Sequence, residues 1–142
     1  MSISDKKVVV SLYLKGHDLN PQEITEALGV TPSVSHGRGE AQRTSSGREF
    51  VTKTGVWGLV IDKDPAEVSD VVASLIATLG QQEGVVFAKL RQVQEAYFDI
   101  FVAADSDEDG EGTCEMEFTD LQVKALSQYG LPIRFTVSMG KP

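Results

Sequence analysis

Apolar residues along the chain fall into runs that switch between two periods. Residues 7–14, KVVVSLYL, are β-branched or apolar except for Ser11 and Lys7, the mark of a buried strand. In the next run, LNPQEITEALG, Asn20 is placed to cap, Pro21 to take the first helical position and Glu23 to complete a capping box. Leu19 and Ile24 fit a hydrophobic staple, and Gly29 and Pro32 stop the helix, so a short helix is predicted over residues 21–28. From 31 to 49 no period survives. This stretch is polar and glycine-rich, and a loop so long inside a domain is usually functional or mobile. A strand is predicted over 50–61, FVTKTGVWGLVI, with Gly55 and Gly58 marking a bulge or a close backbone approach.

The strongest helical period lies in DPAEVSDVVASLIATLG. Asp64 is read as cap, Pro65 as first residue and Glu67 as third, while Val68, Val71, Val72, Leu75, Ile76 and Leu79 form one apolar stripe closed by Gly80. Two strand-like runs, 85–92 and 96–104, predict an antiparallel hairpin, although 87–95 also suits partial helix. Thr119 and Gln122 make a capping box for a third helix, with Phe118 and Val123 as its staple and Gly130 at its end. The last run, LPIRFTVSM, alternates: Ile133, Phe135 and Val137 face one way, and Arg134, Thr136 and Ser138 the other, solvated way. The expected architecture is α+β: a mainly antiparallel sheet of about five strands with three helices on one face. The expected order is β-α-β-α-β-β-α-β, containing a ferredoxin-like βαββαβ core. With no internal repeat and no dividing linker, residues 1–142 read as a single domain.

Several of these segments resemble a known bacterial family, domain of unknown function 4279. The resemblance rests on Ile24, Thr25, Glu26, Leu28, Gly29 and Pro32 in ITEALGVTP, on Gly39, Trp57 and Leu59, and on Leu121, Gly130 and Ile133 near the end. It covers nearly the whole chain. Arg38-Gly39 stands where a Lys-Gly pair is common in the family, which keeps the charge, and the acidic stretch at 105–117 is not a family feature. The resemblance implies a fold but no established activity, so it assigns no catalytic residue.

Composition narrows the function classes. The net charge of −8 repels phosphate backbones and anionic lipid, so neither nucleic acid nor membrane is an expected partner. No apolar run approaches the roughly 20 residues needed to span a bilayer. The start of the chain shows no signal-peptide pattern, and a lone cysteine, Cys114, suits a reducing compartment; a cytoplasmic location is expected. Cys114 lies among carboxylates, which disfavour its thiolate and make it a poor nucleophile. No HExxH, GxSxG or His/Cys metal spacing is present.

Two loops carry candidate chemistry. In 31–49, His36, Arg38, Arg43 and Arg48 make a locally basic segment whose glycines expose backbone N–H groups, a candidate anion or ligand site, with Trp57 as a candidate pocket wall. The competing readings are an excursion whose arginines meet the protein's own carboxylates, and a core tryptophan. In 105–117, Asp105, Asp107, Asp109 and Gly110 match positions 1, 3, 5 and 6 of a calcium loop. Met116 then occupies the position of the bidentate carboxylate, Gly112 an apolar position, and a strand enters where a helix should. What remains is a solvated acidic connection with scope for weak calcium or magnesium binding; no cofactor is expected.

The chain is therefore expected to be a non-enzymatic binding or protein-interaction module, meeting a protein partner or a second copy through an open sheet face that carries Arg134, Thr136 and Ser138. One alternative is an enzyme or binder acting on an anionic small molecule at loop 31–49. The other is a module modulated by divalent cations through loop 105–117.

Overall fold

Alternation along β1 (Lys7–Gly16) organises the molecule. Val8, Val10, Leu12 and Leu14 are buried in the core, whereas Val9, Tyr13 and Lys15, pointing the other way, are half-buried. The computed structural model describes residues 7–63, 67–80, 90, 92–105 and 115–140. Within them β1 is followed by α1 (Pro21–Leu28), β2 (Val34–His36), β3 (Ala41–Arg43), β4 (Glu49–Val51), β5 (Gly55–Lys63), α2 (Val68–Leu79), β6 (Glu95–Asp105), α3 (Asp120–Ser127) and β7 (Ile133–Gly140). Five strands form one sheet in the order β2-β5-β1-β6-β7, and β3 and β4 pair separately as a small hairpin. Every pairing is antiparallel except β6 with β7. The fold is thus α+β, a mostly antiparallel five-stranded sheet with three helices among the described residues.

The core lies between the helices and one face of the sheet. Leu12 pairs with Leu59 on one side and Phe98 on the other, and Val10 with Ile61 and Ile100, so the apolar rows of β5, β1 and β6 coincide. Onto them α2 places Val68, Val71, Val72, Leu75 and Leu79, α1 places Ile24 and Leu28, and α3 places Leu126. Each such leucine or valine stabilises the fold by about 1.5–3 kcal/mol relative to exposure. β5 and β6 run in the same direction on either side of β1, and α2, between them in sequence, packs against both β1 and β5.

Local capping follows the sequence closely. The Asn20 side chain accepts from the Gln22 N–H at 3.1 Å, Pro21 opens α1, and Gly29 closes it with φ 69°, a left-handed conformation open to glycine. At α3 the predicted capping box forms: the Gln122 N–H donates to Thr119 Oγ1 at 3.2 Å, and the Thr119 N–H donates to Gln122 Oε1 at 3.0 Å. Gln122 Nε2 also donates to the Ser69 carbonyl at 2.8 Å, joining α3 to α2.

Five expectations change. The helix α2 starts at Val68, with Glu67 extended at its N-cap (φ −91°, ψ 146°) rather than inside the first turn; Asp64 and Pro65 lie outside the described residues. Stretch 31–49 holds strands after all. Ser33 starts the pairing of β2 with β5, its N–H donating to the Gly58 carbonyl at 2.7 Å and its hydroxyl accepting from the Val60 N–H at 2.9 Å. The strand expected over 50–61 is divided into β4 and β5 by residues 52–54. The predicted 85–92/96–104 hairpin has no place at β6, because β1 occupies one edge of β6 and β7 the other. Residues 85–89 and 91 lie outside the described residues, and Leu90 and Gln92 belong to no strand. The direct parallel pairing of β6 and β7 also departs from a ferredoxin-like βαββαβ order, in which those two strands would be separated by another.

The edge strand β7 differs in a further way. Ile133, Phe135 and Val137 lie on the helix-bearing side, level with Phe98, Ile100 and Val102, yet Phe135 is 54% exposed. Of α3, Leu126 alone is buried, so the helix leaves this margin partly open; Phe118 stacks on Phe135 with ring centroids 6.0 Å apart.

Candidate functional site

The face of the sheet away from the helices is built in rungs. The first rung runs His36, Val56, Lys15, Glu95 across β2, β5, β1 and β6. The second runs Val34, Gly58, Tyr13, Tyr97, and the third runs Val60, Ser11, Asp99, Arg134. The Tyr13 and Tyr97 rings lie 5.8 Å apart, centroid to centroid. Lys15 Nζ sits 5.5 Å and 5.3 Å from their centroids, and the Arg134 guanidinium sits 3.8 Å from that of Tyr97. Cations over aromatic faces contribute about 0.5–1 kcal/mol each at exposed sites. Arg134 also pairs with Glu95 at 3.2 Å.

Gly58 makes this arrangement possible. A Cβ there would stand 2.7 Å from Tyr13 Cε1 and 2.8 Å from Val34 Cγ2, so only glycine lets both side chains close over β5.

The β3–β4 hairpin stands at the end of this face. Its tip is a turn in which the Thr44 N–H donates to the Arg48 carbonyl at 2.8 Å and the Gly47 N–H to the Thr44 carbonyl at 2.9 Å, with Gly47 at φ 87°. Its base is fastened by Thr52, a buried polar residue. The Thr52 hydroxyl donates to the Gly37 carbonyl at 2.6 Å and accepts from the Glu40 N–H at 3.2 Å. The Thr52 N–H donates to the Glu40 carbonyl, and the Thr52 carbonyl accepts from the Gly39 N–H. Four bonds at one residue hold the end of β4 to the chain leaving β2.

Between hairpin and sheet lies a cleft of about 750 Å³. One wall is Phe50, Val51, Thr52, Lys53 and Thr54; the other is the first rung with Gly16 and Gln94. That volume suits a small ligand. Phe50 and Val51 are 47% and 61% exposed. Among the described residues Lys15 and Lys53 form no ion pair, and the acidic residue of the lining, Glu95, is engaged by Arg134. His36 Nδ1 is buried and meets no hydrogen-bond partner among the described residues.

Of the five ligand-site candidates from sequence, His36 alone lines this cleft. Arg38 reaches Asp18 at 3.2 Å and lines a separate hollow of about 360 Å³ that also holds Asp18 and Glu40, an acidic setting unsuited to an anion. Arg43 pairs across the hairpin with Glu49 at 2.7 Å, and Arg48 sits in the hairpin turn. Trp57 is a core residue, not a pocket wall: it is fully buried, and its Nε1 donates to Thr25 Oγ1 at 3.0 Å. Asp105 ends β6, and Asp107 and Asp109 lie outside the described residues, as does Cys114. Among the described residues no three His, Cys, Asp or Glu side chains cluster to hold a metal. No described helix is long and apolar enough to cross a membrane.

The family model described as domain of unknown function (DUF4279) matches residues 6–140. The chain belongs to the DUF4279 family. No curated protein and no solved structure matches it. In this DUF4279 chain the ITEALGVTP segment is structural, since Ile24 and Leu28 enter the core, Thr25 receives the Trp57 bond and Gly29 turns the chain out of α1. The sequence reading passed over Lys15 and Lys53, which no local pattern links. The usable signal was parity: Lys15 follows Tyr13 by two on the face of β1 that the core does not use.

Proposed function

We propose that this protein is a non-enzymatic binding module, and that its recognition surface is the end of the open sheet face beneath the β3–β4 hairpin. The observation that carries the reading is the cleft itself: a rung of four strands on one side, a hairpin fastened by Thr52 on the other, and exposed Phe50 and Val51 at its rim. Preformed concave sites that combine apolar walls with a few polar groups are the usual form of a ligand site. The chemistry of the lining favours binding over reaction. Among the described residues neither histidine pairs with a carboxylate, and the lining holds no cysteine or serine.

The test is a fragment titration of the full chain followed by backbone amide shifts, using cationic, neutral and anionic aromatic fragments. Shifts should gather on Lys15, His36, Val56 and residues 52–54, with every fragment recovered unchanged. Fragments that gather elsewhere, or that are converted to product, would overturn the reading.

A further inference from the structure

We infer that the cleft takes a small organic oxyanion, a carboxylate or phosphate carried on an apolar body. This deepens the binding reading above and rests on it. The charge balance of the cleft is local and opposite to that of the molecule. In a chain of net charge −8, Lys15 and Lys53 enter the same cleft with no carboxylate partner among the described residues. Glu95 does not offset them, because Arg134 holds it from the side of Tyr97. Lys15, whose ammonium lies against the Tyr13 and Tyr97 rings, and Lys53 on the opposite wall give the lining a positive excess, and an anion is drawn to it.

The apolar half of the ligand follows from the other lining groups. Phe50 and Val51 from the hairpin and Val56 from the first rung offer carbon surface, and Phe50 and Val51 are exposed in the free protein. A bare inorganic ion would leave that surface in water; an aromatic or branched aliphatic body would cover it. His36 stands next to Val56 on the rung, and its buried Nδ1, with no hydrogen-bond partner among the described residues, leaves a polar atom at the cleft for a ligand or a water to satisfy. The arginines of loop 31–49 play no part: they lie outside the lining, and two of them are already paired.

Calorimetric titration of the full chain with four probes tests this: 3-phenylpropionate, phenyl phosphate, inorganic phosphate and benzyl alcohol. At least one of the first two should bind at least about tenfold more tightly than either of the last two, since a charge-assisted contact and the apolar body each contribute at that scale. The better of the two identifies the oxyanion as carboxylate or phosphate. Lys53→Gln, at an exposed position, should weaken that probe by about tenfold or more, and Arg48→Gln should leave it unchanged. Benzyl alcohol binding in the cleft as tightly as the acids, or full affinity in Lys53→Gln, overturns the anion inference while the binding module stands. Silence from every probe here and from every fragment above overturns both.

Discussion

The indole nitrogen of Trp57 donates to the hydroxyl of Thr25 across 3.0 Å, and this bond joins β5 to α1 beneath the core. Thr25→Val leaves that buried N–H without an acceptor and should lower unfolding stability by about 1–3 kcal/mol, whereas Thr25→Ser should recover most of it. Urea unfolding followed by the fluorescence of Trp57, the one tryptophan, measures both. Equal midpoints for Thr25→Val and the parent would mean that the bond carries no net stability.

Gly58→Ala pushes a methyl group into Tyr13 and Val34, and the rings above β5 must move. A cost of about 1–3 kcal/mol is expected, the usual range for overpacking. Because the clash is with side chains, Tyr13→Ala in the same chain should return part of that loss. Strict additivity in the double-mutant cycle would place the strain in the backbone instead.

Thr52→Val removes the hydroxyl that holds the hairpin base and leaves the Gly37 carbonyl without its donor. Amide exchange should speed up at Gly39, Thr44 and Gly47 while β1 and β6 keep their protection, because the hairpin adds no strand to the main sheet. Thr52→Ser should exchange like the parent. Uniform loss of protection across the sheet would contradict the hairpin's independence.

Tyr129 is buried, stands edge-on to Phe98 and donates to the Gly80 carbonyl at 3.1 Å; burial pushes its pKa above the ordinary 10.0. The unfolded chain therefore releases this proton at lower pH than the native one. Its contribution to stability is whole below about pH 10, declines above that value and is lost once pH passes the raised native pKa. Tyr129→Phe should flatten the decline between pH 9 and 11 in pH-dependent urea unfolding, at a neutral-pH cost of about 0.5–1.5 kcal/mol for the bond. An equal slope in parent and variant would assign the alkaline loss to other groups.

What the sequence made legible was what is decided within one turn or one strand. Asn20, Pro21 and Gly29 bound α1, and Thr119 with Gln122 starts α3, because those bonds join residues two to four apart. Parity along β1 and the stripe of α2 showed the core for the same reason. Pairings made by tertiary contact stayed hidden. Nothing near Arg38 announces Asp18, and the polar run around Val34 and His36 is too short to show the alternation of β2. β7 alternates well, but an edge strand that α3 covers incompletely leaves Phe135 in water, and no pattern within the strand records its neighbours. The cleft stayed hidden on the same ground, since strand register and the Thr52 bonds bring residues 15, 36, 53 and 95 together.

β2 and β5 are bonded neighbours, and the chain between His36 and Gly55 leaves the sheet and returns to it. Each doubling of such a connection costs only about 0.6 kcal/mol in closure entropy. Added length is therefore cheap at the hairpin tip while Thr52 holds its base and the strands below keep their alignment. One wall of the cleft thus sits on a connection whose extension costs the fold little, while Lys15, His36, Val56 and Glu95 stay on the strands of the sheet, so changes at 50–54 reshape the cleft without moving the scaffold beneath it.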